Sequence, residues 1–139
     1  MAAAPIETLR GIPLFEELDD AELQSIADLM NEANVPAGAT VTAEGGPGDG
    51  FFVIDRGEAE VTIEGRRQAT LAAGDYFGEI ALIDEGARSA TITANGELVC
   101  YGLTYWEFRP LVQQNATIAW NLLQTLAKRL RTAQDDHPE

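Results

Sequence analysis

Between Thr40 and Leu103 the chain is cut by glycines at Gly45, Gly46, Gly48, Gly50, Gly57, Gly65, Gly74, Gly78, Gly86 and Gly96, which leaves no room for a long regular element. The pieces between them read as strands. Phe51-Phe52-Val53-Ile54 is a compact apolar run, and Ala59, Val61 and Ile63 alternate with Glu60, Thr62 and Glu64, the two-residue period of a strand with one buried face. Many short strands joined by tight turns predict a small antiparallel barrel or sandwich.

Helical patterns lie on both sides of this region. Asp19 and Glu22 have capping-box spacing ahead of apolar Leu23, Ile26, Ala27 and Met30, and Pro36-Ala37-Gly38 marks the end of the N-terminal helical part. Thr104 with Glu107 forms a second capping box. Asn115 can cap a helix carrying Ile118, Ala119, Leu122, Leu123, Leu126, Ala127 and Leu130, with Lys128, Arg129 and Arg131 near its end to suit the helix dipole. Segregated helices and strands belong to the α+β class. With no internal repeat or linker, a single domain over residues 1–139 is expected, with helices over about 6–34, the barrel over about 35–103 and helices over about 104–133.

A hydrophobic content of 45% against 23% charged residues is that of a folded core. The apolar runs fall short of a membrane-spanning helix, and the alanine-rich start lacks the parts of a signal peptide, so a cytoplasmic protein without membrane insertion is expected. Cys100 is the only cysteine and lies in the apolar run Leu98-Val99-Cys100-Tyr101, where a buried thiol is expected. A net charge of -14 opposes direct binding to nucleic acid. It does not oppose binding of a small anion, because charges are screened over about 8 Å at physiological salt and one arginine dominates its own pocket.

Catalysis is hard to assemble from these residues. The single histidine, His137, lies in the polar tail Asp135-Asp136-His137-Pro138-Glu139, which leaves no histidine triad and no imidazole ligands for a metal centre of the cupin kind. No enzyme, catalytic residue or metal site is expected.

One segment does carry chemistry. From Asp75 to Ala94 a glycine-marked turn leads through the apolar stretch Ile80-Ala81-Leu82-Ile83 to Arg88, Ser89 and Thr91. Backbone amides opening a short helix attract negative charge, Arg88 can give two parallel hydrogen bonds to phosphate oxygens, and Ser89 can add another donor. Glu79 can accept from a sugar hydroxyl. Taken on spacing alone, an arginine beside a serine at a strand start is more often a solvated surface feature, by roughly three to one.

Gly78-Glu79-Ile80-Ala81-Leu82 followed by Arg88-Ser89-Ala90-Thr91 closely resembles the phosphate-binding cassette of the cyclic nucleotide-binding domain family. The resemblance extends to Glu44-Gly45 with Gly48-Asp49, to Phe51-Phe52-Val53-Ile54 with Gly57, and to Gly74-Asp75-Tyr76-Phe77, although a turn accounts adequately for the first group. It implies a jelly roll, or double-stranded β-helix, flanked by helices. It also implies that Arg88 pairs the cyclic phosphate and Glu79 holds the ribose 2′-hydroxyl, with Gly78, Ile80, Ala81, Ser89 and Ala90 completing the cradle. Ala87 departs from the family, where proline often precedes the arginine; alanine leaves the empty loop less restricted.

Family members that prefer cyclic GMP often carry threonine where Ser89 stands, so the resemblance leans towards cyclic AMP, with cyclic GMP as the other ligand. It implies a sensor that switches an unidentified effector protein through its C-terminal helix, with a homodimer through that helix as a further expectation. Thr125, Arg129 and Thr132 of that helix receive no base contact from the resemblance. Two other readings are a degenerate domain serving interaction or oligomerisation, and a regulatory fragment of a larger effector. Retention of both Glu79 and Arg88 argues against the first.

Overall fold

The computed structural model describes residues 5–42, 50–78, 83 and 90–136. Helix α1 (Ile6–Arg10), a 3-10 turn (Pro13–Phe15) and helix α2 (Asp20–Ala27) come first. The Asp19–Glu22 capping box forms at α2: Asp19 Oδ1 accepts from the Glu22 amide at 2.8 Å, and Glu22 Oε1 accepts from the Asp19 amide at 3.0 Å. Leu23, Ile26, Ala27 and Met30 are all buried, as their spacing predicts. The helical part stops well before residue 34, however, because Asn31–Val35 is a strand, β1, paired antiparallel along its length with a distant strand.

Seven further strands follow: β2 (Thr40–Thr42), β3 (Gly50–Arg56), β4 (Ala59–Ile63), β5 (Arg66–Leu71), β6 (Tyr76–Phe77), β7 (Thr91–Ala94) and β8 (Leu98–Thr104). They form two antiparallel four-stranded sheets, ordered β1-β8-β3-β6 and β2-β7-β4-β5. With its flanking helices the molecule is an α+β fold of the jelly-roll type. Gly57, in the β3–β4 turn, can be nothing else: its φ is +95°, and a Cβ there would stand 2.3 Å from the Glu97 carbonyl oxygen.

The two central strands of the first sheet, β8 and β3, bury side chains on both faces. Phe51 and Val53 of β3, with Tyr101 and Leu103 of β8, point outward into a cluster built by Leu9, Ile12, Phe15, Leu23 and Ile26. There Phe15 meets Phe51 edge to face at 5.8 Å. The alternate residues Ile54 and Leu98 point inward to join Ala59, Ile92 and Ala94 between the sheets. Burying each large apolar side chain contributes about 1.5–3 kcal/mol, so one strand with two buried faces binds the helices to the inner cluster. Cys100 is fully buried in β8, and desolvation raises its thiol to about 11.

Helices α3 (Tyr105–Gln114) and α4 (Ala116–Asp136) close the fold. Thr104 and Glu107 form the predicted capping box of α3. Asn115 serves both helices: its side-chain amide donates to the Leu111 carbonyl at 2.7 Å, and its carbonyl accepts from the Ala119 amide at 3.1 Å as a first bond of α4. Because α4 runs on to Asp136, its last turn holds no basic residue, which corrects the expected dipole role of Lys128, Arg129 and Arg131. Lys128 instead pairs with Glu17.

Candidate functional site

The chemistry-bearing segment begins at β6 and ends at β7, and those strands belong to different sheets. On the near side, Gly74-Asp75 forms a turn in which Asp75 Oδ2 accepts from the Ala72 amide at 2.8 Å. Ile54 clamps that turn to β3, donating to the Asp75 carbonyl and accepting from the Gly74 amide, both at 2.9 Å. Tyr76 and Phe77 then pair with Val53 and Phe52. Gly78 follows at φ +83°, a backbone state that glycine enters without strain.

On the far side Ala90 is half-buried and leads directly into β7, which is paired with β2 on one edge and β4 on the other. The end of β7 is pinned further, with the Gly38 amide donating to the Ala94 carbonyl and the Ala94 amide donating to Ala39, each at 2.9 Å. Ile92 and Ala94 bury their side chains between the sheets.

Of the predicted binding residues, Gly78 and Ala90 therefore stand at the two margins of the segment. Glu79, Ile80, Ala81, Arg88 and Ser89 lie outside the described residues, as do Glu44, Gly45, Gly48 and Asp49. Among the described residues no group of three or more His, Cys, Asp or Glu is placed to hold a metal ion, and no helix is long and apolar enough to cross a membrane.

Helix α4 packs on the N-terminal elements in this structure. Ile118, Leu122 and Thr125 are buried, and Thr125 meets its polar need by donating to the Asn121 carbonyl at 3.2 Å. Asn121 donates to Glu22 Oε1 at 3.1 Å, and Lys128 reaches Glu17. A groove of about 520 Å³ lies where α2 meets the α3–α4 junction, lined by Asp19, Glu22, Ser25, Asn115 and Thr117. It does not reach β6 or β7.

Sequence reading passed over Phe52 as one apolar residue of a strand. Its ring stacks on Phe77 with centroids 5.3 Å apart and planes inclined by 23°, next to the point where the chain leaves for the segment. The signal that could have found it is Gly102, a glycine inside a strand, which marks a close approach by a neighbour.

A family model described as cyclic nucleotide-binding domain matches residues 32–115, more than half of the chain. Among curated proteins, the cAMP-dependent protein kinase regulatory subunits of Yarrowia lipolytica and Emericella nidulans are 41% and 39% identical to this chain over 92 residues. The matched part is 65% of this chain but only 24% and 22% of those proteins, so the chain spans about a quarter of the length of these relatives. The solved N-terminal domain of a transcriptional regulator from Streptomyces coelicolor A3(2) superposes with a TM-score of 0.85 at 31% identity, covering 95% of both chains. A cAMP-bound PfPKA-R structure superposes with a TM-score of 0.68 at 27% identity, covering 88% of this chain and 45% of that one.

Proposed function

The chain belongs to the cyclic nucleotide-binding domain family, and on that premise we propose that it is a regulatory, non-catalytic sensor of cyclic AMP acting within a single domain over residues 1–139. Arg88 pairs the cyclic phosphate, Glu79 takes the ribose hydroxyl, and Gly78, Ile80, Ala81, Ser89 and Ala90 line the phosphate. The observation that carries the reading is the family match over residues 32–115 in a chain that keeps both the glutamate and the arginine. The anchored margins at Gly78 and Ala90 support it, since they hold the two halves of the motif to a common scaffold. Cyclic AMP is preferred on account of Ser89 and of the cAMP-binding relatives, with cyclic GMP as the competitor.

Signal output runs through α4 to an effector protein. To close over the nucleotide, α4 must give up the Asn121–Glu22 and Lys128–Glu17 contacts that dock it on the N-terminal elements, so ligand and docking compete for the helix. The outward face of α4 also supports a homodimer. Trp120, Leu123 and Leu130 are 62%, 57% and 62% exposed and, with Ala127, follow the alternating three- and four-residue spacing of a coiled-coil seam. A second reading, a regulatory part of a larger effector, is favoured by the small fraction of its relatives that the chain spans.

Calorimetric titration of the purified chain with cyclic AMP and cyclic GMP tests the proposal. Arg88→Ala removes a charge-assisted contact of about 1.5–3 kcal/mol and is expected to weaken binding by roughly one to two orders of magnitude. An unchanged affinity removes the assignment of Arg88, and no binding of either nucleotide by the unaltered protein removes the sensor reading. Light scattering on the same samples reads the dimer, which a monomer mass rules out. With Trp106→Phe leaving Trp120 alone on α4, an emission spectrum indifferent to bound ligand argues against movement of the helix.

A further inference from the structure

We propose that Phe52 is a positioning residue for the nucleotide loop, acting through Phe77; this rests on the nucleotide-binding reading above. Phe52 is the third residue of β3, with Gly102 of β8 as its partner on one side and Phe77 of β6 on the other. Its ring leans over the backbone of both neighbouring glycines. A Cβ added at Gly102 would stand 2.8 Å from one ring carbon and 3.1 Å from the next, and a Cβ at Gly50 would stand 3.2 Å from the opposite edge. The ring is therefore confined on the glycine side while it stacks on Phe77 at 5.3 Å.

The consequence follows from how Phe77 is held: its ring packs on the inner cluster of Ile54, Ala59, Ile92, Ala94 and Leu98, and the Phe52 stack fixes its inclination there. Strand β6 has two residues and lies at the edge of its sheet, with β3 as its paired neighbour. Residue 78 then leaves at φ +83°. A shift of the Phe77 ring carries the start of the loop with it, and the phosphate ligands assigned to that loop follow. The effect of Phe52 on affinity passes through the stack on Phe77.

Three variants separate this from ordinary core packing: Phe52→Leu, Gly102→Ala and the two combined, with Phe52→Tyr as the conservative rescue. Cyclic AMP affinity is read by calorimetry on folded protein, and amide hydrogen exchange over residues 78–90 is read without nucleotide. Phe52→Leu and Gly102→Ala are each expected to raise Kd by about 2- to 10-fold, the size of one disturbed aromatic pair. Once Phe52 is leucine, Gly102→Ala has no ring to press and is expected to change Kd by less than about 2-fold. Phe52→Tyr keeps the stack and the native Kd. Exchange over 78–90 rises in both single variants while α2 and β7 stay protected.

Native affinity together with native exchange in the single variants overturns the proposal. So do equal Gly102→Ala effects with and without Phe52, or exchange that rises evenly through the molecule. Should the unaltered protein bind neither cyclic nucleotide, the sensor reading fails by itself, and the exchange pattern still decides the mechanical link: a local rise upholds it and any other pattern refutes it.

Discussion

The two margins of the segment from Gly78 to Ala90 are held by different physics. At the far margin, β7 has a paired strand on each edge and buries Ile92 and Ala94 in the inner cluster, so its place is set by ladders and by apolar burial together. At the near margin, two residues of β6 pair with one strand, Tyr76 and Phe77 are only half-buried against the outer and inner clusters, and a turn and an aromatic stack add to their hold. Backbone ladders flanked on both sides open only with the whole sheet, whereas an edge strand of two residues can shift locally. A ligand that draws the loop inward is thus expected to move its near margin and leave the far one in place.

That contrast is tested hardest by Ile92→Ala. The side chain is 5% exposed within the inner cluster, and its loss is expected to cost about 2–5 kcal/mol of stability while the protein that remains folded keeps its Kd. Intact denaturant stability would show that the far margin is not the fixed one. A second test uses Cys100, opposite Ile54 on the strand that clamps the near-side turn. Burial lifts its thiol to about 11, above an unfolded value of about 8.5, so the folded state holds the proton more tightly. Its stabilising contribution is whole below about pH 8.5 and is lost as the pH climbs through about 11. Thermal melts across that window should fall for the native protein and stay flatter for Cys100→Ala, and parallel curves would mean that the site is open to water.

The smallest effect belongs to the near-side turn. Asp75→Ala deletes the acceptor for the Ala72 amide, and with the two Ile54 bonds still in place it is expected to cost about 0.5–1.5 kcal/mol in denaturant melts. A loss as large as that of Ile92→Ala would reverse the ranking of the two margins.

Local signals explain what could be read along the chain. Asp19 with Glu22 and Thr104 with Glu107 announce helix starts because a capping box closes within four residues. Glycines announce turns for a similar reason: Gly57, Gly65, Gly74, Gly78 and Gly96 all have positive φ. Strand β1 was hidden by the same logic. Asn31-Glu32-Ala33-Asn34-Val35 shows no apolar alternation, and its conformation comes from pairing with residues 98–102, which no local pattern announces. The extent of α4 differs in the other direction, since Gln134 to Asp136 continue a helix whose polar composition predicts an end at about residue 133. Among the candidate site residues, Gly78 follows β6 and Ala90 precedes β7, while the binding roles of Gly78, Glu79, Arg88, Ser89 and Ala90 come from resemblance, because a ligand contact is not a local sequence pattern.

By itself, then, the order of residues determined the class of fold, its helix caps and turns, and the family to which its motif belongs, because each is written in patterns a few residues long. Only the tertiary structure decided that the strands on either side of the motif, β6 and β7, lie in different sheets, that α4 rests on the N-terminal elements, and that Phe52 lies between Gly102 and Phe77. Those facts join residues tens of positions apart in the chain, and their partners are chosen by the burial and pairing of the whole molecule.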